Sequence, residues 1–375
     1  MNAAMSGVRA LALAFAVVVG TAGAAGVATG ENGAVADALT VRHLDQFTLG
    51  DDYQFGGYRV GGLSGLDYWP EGDSYLAISD NRGEEGPARA YTLSVPITPE
   101  GKLGAPEFRS LIELLDKDGS PYAARTIDPE AIRWTPDHQG FVYTSEGEAK
   151  AGQAGFVRQA TLDGAFSREV PVPDAFTPRN DAAGQQISGI RDNLGFEAMD
   201  LTEGGSTVVA VTENALVQDG PTASADAESR SRMVRLDRGS GQNIAEYIYP
   251  VGRVGLGEIA SSAGVSEILS LGGDRYLALE RGVIPVLGFT GRIYETSTAG
   301  ADPVTGKEAA PADAKPMSKR LLFDFRAAGI DPQCVEGMTW GPRLPDGSRS
   351  LIVVADNNFG RAGRTTFHLL SVSGG

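Results

Sequence analysis

Carboxylates recur in this chain at places where a β-strand should be apolar. In "DPEAIRWTPDHQGFVYTSEGE", Glu130 alternates in step with Ile132 and Trp134. In "GFEAMDLTEGGSTVVAVTEN", Glu197 alternates with Met199 and Leu201. Alternation puts such residues on one strand face, which ought to be buried. Glu267 and Glu336 repeat the pattern, and Ser64 holds the corresponding place in "LSGLDYWPEGDSYLAISDNRG". The facing strand of each unit closes on a second acid: Asp80, Glu146, Glu213, Glu280 or Asp356. Burying one unpaired carboxylate costs at least several kcal/mol. Like charges add to that cost unless some of the groups hold protons. Three chemistries answer this: hard cations such as calcium bound through oxygen, arginine pairing, or proton transfer during hydrolysis. Arg82, Arg133, Arg191 and Arg281 lie close enough in sequence to serve.

The elements that must position these groups follow from a repeat. Ser64, Glu130, Glu197, Glu267 and Glu336 are separated by 66, 67, 70 and 69 residues. Each unit reads as a hairpin followed by two further strands, for example "ARAYTLSV" and "FRSLIELL". The last unit lacks its fourth strand, while "VRHLDQFTL" at the start has no hairpin of its own. This predicts an all-β fold: one β-propeller of five four-stranded blades, its ring closed by the N-terminal strand. A sixth blade could be assembled from long connections such as residues 174–195 or 299–316, but neither reads as four strands, and the second is a loop by composition. If the hairpins are innermost, nine acids crowd one mouth of the central channel.

Arg9 precedes the apolar run "ALALAFAVVVG", and small residues follow. The pattern predicts a signal peptide over residues 1–24, a linker over 25–38 and the propeller over 39–373. Export, to the periplasm or beyond, follows, with no integral membrane span once the signal is removed. The formal net charge of −16 argues against nucleic acid. Cys334 is the only cysteine, so no intramolecular disulfide forms, and it is expected as a small buried apolar group. A monomer is expected.

Other catalytic signatures are missing. No G-x-S-x-G elbow occurs; "GLSGL" at Gly62–Leu66 lacks the final glycine. The three histidines, His43, His138 and His368, are scattered: the first and last are expected on outer strands, His138 in a solvated turn. "DKDGS" at Asp116–Ser120 lacks the distal glutamate of a calcium loop.

The segments "GGLSGLDY", "SDNRG", "DPEAI", "GIRDNLGFEAM", "SEILSL", "VEGMTWGP" and "VVADNNF" together resemble the bacterial phytase-like family, also called the esterase-like activity of phytase family. The resemblance implies an exported propeller that hydrolyses phosphate or carboxylic esters. It falls on Ser64, Asp80, Asn81, Arg82, Asp128, Glu130, Glu146, Asn193, Glu197, Glu213, Glu267, Glu280, Arg281, Glu336, Asp356, Asn357 and Asn358. Leu194 stands where an arginine would be expected after Asn193. The resulting assignment has Glu197, Glu267, Arg191 and Arg281 catalytic. Ser64, Arg82, Asn81 and Asn357 contact a small anionic or ester substrate. Asp80, Glu130, Glu146, Glu213, Glu280, Glu336 and Asp356 hold calcium. Two other readings stay open: a non-catalytic exported propeller that binds a ligand, glycan or protein, and a lactonase-type metal set built on Glu336, Asp356 and Asn357.

Overall fold

A computed structural model describes residues 38–254, 261–285 and 287–374. The expected signal peptide and nearly all of the 25–38 linker lie outside the described residues. Five four-stranded antiparallel sheets succeed one another along the chain. Blade 1 runs Leu63–Trp69, Ser74–Ser79, Arg89–Ser94 and Glu107–Glu113 from the centre outward. Blade 2 runs Pro129–Trp134, Gly140–Ser145, Phe156–Thr161 and Phe166–Val170. Blade 3 runs Phe196–Thr202, Thr207–Ala215, Ser229–Asp237 and Asn243–Val251. Blade 4 runs Ser262–Gly272, Arg275–Ile284, Gly288–Ser297 and Ser318–Asp324. Blade 5 runs Cys334–Arg343, Arg349–Asp356 and Thr366–Ser373, and its outermost strand is Thr40–Thr48 from the start of the propeller. This is the five-bladed, N-terminally closed propeller that the repeat predicts.

The core is divided into slabs between blades. Leu76 and Ile78 of blade 1 pack on Ile132, Trp134 and Phe141 of blade 2. Val142 meets Phe196 and Met199. Val209 and Val211 meet Ile268 and Tyr276, Leu277 and Leu279 meet Met338 and Val353, and Ile352 and Val354 meet Leu66 and Tyr75. Each slab uses one face of each sheet, so strand alternation and blade stacking specify the same residues. Near the axis the inner strands nearly touch. A Cβ on Gly65 would come within 2.6 Å of the Glu130 carbonyl oxygen, and one on Gly337 within 2.7 Å of the Ser64 carbonyl oxygen.

Residues 174–195 hold a small hairpin, Arg179–Asn180 with Gln186–Ser188, rather than a sixth blade. Residues 299–316 form a loop on blade 3. Buried Arg232 pairs there with Asp219 at 2.7 Å and Glu246 at 3.1 Å and donates to the Lys307 carbonyl at 2.7 Å.

Candidate active site at the propeller mouth

Every inner strand breaks register by one residue at the mouth end. The breaks fall between Leu63 and Gly65, Pro129 and Ile132, Phe196 and Ala198, Val265 and Glu267, and Val335 and Gly337. A β-bulge takes the extra residue out of alternation and re-aims its side chain. The expectation that Glu130, Glu197 and Glu336 share the apolar strand face is therefore corrected: the bulge frees them to face the mouth while Ile132, Met199 and Met338 stay in the slabs.

The same register corrects the fourth blade. There the extra residue is Ser266, the counterpart of Ser64, and not Glu267. On the facing strands, Leu63 pairs with Ser79, Pro129 with Ser145, Phe196 with Thr212 and Val335 with Ala355, each one residue before the acid. Val265 pairs with Glu280, so Arg281 holds the position of Asp80, Glu146, Glu213 and Asp356. A one-residue offset reverses the face of every side chain. Glu280 accordingly points into the interface with blade 3. It accepts from the Tyr249 hydroxyl at 2.8 Å and pairs with Lys319 at 2.6 Å. Glu267 lies deeper in the channel. Its carboxylate pairs with Arg133 at 3.0 Å and accepts from the amides of Ile268 at 2.9 Å and Met199 at 3.3 Å. Arg133 also pairs with Asp200 and donates to the carbonyls of Leu66 and Ile268, so one guanidinium from blade 2 ties blades 1, 3 and 4 across the channel. Neither Glu267 nor Glu280 belongs to the mouth.

The mouth gathers Asp80, Asp128, Glu130, Glu146, Glu197 and Glu336 around a cavity of about 590 Å³, with Arg82 and Arg281 among its lining. Arg281 bridges three glutamates, at 2.5 Å to Glu336, 3.0 Å to Glu197 and 3.5 Å to Glu213. Arg82 pairs with Asp128 and donates to Asn193 Oδ1. Glu146 accepts from the Gly195 amide at 2.5 Å. Asp356 accepts from the amides of Asn357 at 2.6 Å and Asn358 at 2.7 Å. Room for the carboxylates is built into the backbone. A Cβ on Gly264 would fall 2.3 Å from Glu213 Oε1, and one on Gly62 would occupy the place of the Asp80 carboxylate.

These groups do not titrate as free carboxylates. Burial, followed by repulsion from Asp356, holds the Asp80 carboxyl well above its ordinary range. Burial and then Glu197 do the same to Glu130 and Glu146. Burial pushes Asp128 and Glu213 up to about 7 against the opposing pull of Arg82 and Arg281 respectively. Burial lifts Glu336 to about 8 although Arg281 opposes it. Asp356 reaches only about 6, because the amides of Asn358 and Asn357 oppose burial. Two guanidiniums thus leave an excess of negative charge, relieved by protons or by a cation.

Two acidic trios are placed to take a cation. Oxygens of Asp128, Glu130 and Glu146 lie within 4.8 Å of one another, as do oxygens of Glu146, Glu197 and Glu213. All-oxygen, carboxylate-rich donors suit calcium better than softer metals. Glu146 is common to both trios.

The remaining expected residues divide. Asn81 lines the cavity, but its side chain secures its own loop, donating to the carbonyls of Gly86 and Pro87 and accepting from the Glu85 amide. Asn357 is a local cap that accepts from the Phe359 amide at 3.0 Å, not a ligand contact. Ser64 is buried beneath the mouth and donates to Glu130 Oε2. Arg191 is turned away from the acids and bonds to the carbonyls of Ala215 and Gly220. Cys334 is buried as expected, yet it lines the cavity and donates to Glu336 Oε1 at 3.0 Å. Burial, then Glu336, push its thiol well above its ordinary range, so it is no thiolate nucleophile. His43 and His368 belong to the two outer strands of blade 5 and face each other at 3.3 Å. His138 is in its turn but stacks on Trp69 at 4.6 Å rather than standing free in water.

Sequence reasoning gave Phe289 and Phe359 no role, yet both line the cavity. Asn358 and Phe359 are consecutive non-glycine residues at positive φ, 45° and 51°. Such strain persists only where the surroundings enforce it. Here Arg59 Nη1 donates to the Phe359 carbonyl at 2.8 Å, fixing the aromatic wall at the rim.

Fold and site together define a five-bladed propeller with a carboxylate–arginine cluster at one mouth. A family model described as "Phytase-like: Esterase-like activity of phytase" matches residues 58–359, and the chain belongs to this phytase-like family. No curated protein matches it. Among solved structures it is similar to a bifunctional GH43-CE protein of Bacteroides eggerthii, at 12% identity and a TM-score of 0.41 over 82% of this chain. The chain spans only 33% of that protein's length. It is also similar to an α-L-arabinanase of Cellvibrio cellulosa, at 12% identity and a TM-score of 0.40, covering 83% of this chain and 92% of the other. A third is the Swd1 β-propeller domain of Myceliophteria thermophila, at 11% identity and a TM-score of 0.36, covering 84% and 98%. Among the described residues no helix is long and apolar enough to cross a membrane.

Proposed function

We propose that this chain is an exported, monomeric hydrolase of phosphate or carboxylic esters that works with calcium at the propeller mouth. The observation that carries the reading is the pair of acidic trios sharing Glu146, set beside two arginines in one cavity. Asp128, Glu130 and Glu146 would hold the cation. When bound, calcium supplies a Lewis acid that polarises an ester oxygen. Arg82, at 23% side-chain exposure, reaches the cavity and offers charge to an oxyanion as it develops. Glu197, ion-paired to Arg281, is placed to accept a proton from the attacking water. Glu336, whose carboxyl burial raises and which lines the same cavity, is the group to give a proton to the departing ester oxygen. The products are then an acid and an alcohol. Phe289, Phe359 and Val283 give the cavity an apolar wall for the organic part of the substrate.

The test is calcium titration calorimetry on chelator-treated protein, beside turnover of p-nitrophenyl phosphate and p-nitrophenyl butyrate. Calcium should bind and restore turnover of at least one ester. Glu146→Gln should abolish calcium binding, and Glu197→Gln should cut turnover by about 10²-fold while folding is kept. Calcium binding with no turnover of either ester would leave a binding propeller. Failure to bind calcium at all would end the reading.

A further inference from the structure

A second cavity, of about 560 Å³, opens between the inner hairpins of blades 4 and 5. It lies on the face opposite the mouth, since both inner strands begin at the acids and end here. Its lining includes Arg275, Arg343, Arg349 and Trp340, with Leu271 and Val372 as apolar parts. In a protein of net charge −16 this is a concentration of cations.

These cations are poorly compensated. Arg343 and Arg349 are direct cross-strand partners. Like charges placed opposite each other destabilise a hairpin. Arg343 Nη1 donates to the Gly347 carbonyl at 3.0 Å, and among the described residues neither arginine forms a salt bridge. Arg349 is half-buried with its guanidinium 3.5 Å from the centre of the Trp340 ring. Burial, and then Arg343, push its pKa down. Arg275 has a carboxylate, Glu295 at 2.8 Å, but Arg320 pairs with the same group. The one acid among the described lining residues, Asp346, accepts through Oδ1 from the Ser348 amide at 3.0 Å and hydroxyl at 2.6 Å and forms no salt bridge with these arginines.

We infer that this cavity is a binding site for an oxyanion, a carboxylate, sulfate or phosphate group carried on an organic body. The anion would sit between Arg343 and Arg349, relieving the repulsion built into their hairpin. Guanidiniums present paired N–H donors that match such groups. The cavity exceeds what a bare oxyanion fills, and Leu271 and Val372 offer apolar contact to the rest of the ligand. The site is separate from the calcium-dependent reading of the mouth and stands without it.

The experiment titrates the full chain with sodium sulfate and, separately, sodium benzoate at constant ionic strength. Tryptophan fluorescence is the readout, because Trp340 lies against Arg349. Both probes should give saturable changes, with a Kd of about 1–10 mM expected from two charge-assisted hydrogen bonds. Benzoate should bind several-fold more tightly. Arg349→Met keeps an unbranched stem over the ring and should lose both responses, as should Arg343→Ala at an exposed hairpin position. Saturation that survives in both variants, or none in the native chain, overturns the proposal. Sulfate binding without benzoate binding overturns its organic part. Chelator has no effect on these titrations if the two sites are independent.

Discussion

Replacing Arg281 with methionine tests the charge balance of the mouth most directly. The substitution keeps an apolar stem and removes the guanidinium that meets Glu197, Glu213 and Glu336. Glu336 and Glu213 are already lifted to about 8 and about 7, so near neutrality they hold protons much of the time and lose little more. The burden falls on Glu197, whose side chain is 4% exposed. Without its partner it is a stranded buried carboxylate, and removing one member of a buried ion pair costs about 3–5 kcal/mol. The penalty eases as the pH falls toward about 4.3, where carboxyls of the unfolded chain also begin to hold protons. Urea denaturation of chelator-treated protein should therefore show a loss of about 3–5 kcal/mol at pH 7 that is smaller at pH 5. Calcium should rescue the variant more than the native chain, because a cation can replace the missing charge. A penalty equal at both pH values, or below about 1 kcal/mol at pH 7, would refute the argument.

Two further outcomes follow from groups outside the mouth. Burial lifts Glu267 to about 8 against Arg133, so the native state favours its protonated form. A carboxyl raised on folding contributes stability that is complete below its unfolded pKa and is lost as pH rises through the folded value. Chelator-treated protein should accordingly weaken between about pH 4 and 8. Glu267→Gln should flatten that decline without changing calcium binding or ester turnover, as urea midpoints across pH would report. Arg232→Met strands the buried carboxylates of Asp219 and Glu246 and should cost about 3–5 kcal/mol. Limited proteolysis should then cut within residues 299–316, and resistance there would count against the pairing as the loop's anchor.

The blades were legible in the sequence because strand alternation and the 66–70-residue repeat both report the apolar slabs. The bulges were not. Nothing in "DPEAIRW" or "GFEAMDL" marks one residue as extra, since the cue lies in cross-strand pairing. In blade 4 the sequence misleads outright: "SEILSL" and "LERG" each put an acid beside the residue that holds the mouth position. Matching acid to acid selects Glu267 and Glu280. Aligning on the apolar positions Leu66, Ile132, Met199, Ile268 and Met338 would have selected Ser266 and Arg281. The pairing of Arg82 with Asp128 was hidden for another reason: it joins the loop after the second strand of one blade to the start of the next.

The strand Thr40–Thr48 lies against Thr366–Ser373, so the first and last segments of the propeller meet in one sheet. Asp80 of blade 1 and Asp356 of blade 5 stand side by side only once the ring has closed, as do Ser64 and Gly337. A chain still emerging has no complete mouth. Both acidic trios, however, come from blades 2 and 3 alone, so a cation held as proposed would have its ligands in place before the two ends of the chain meet.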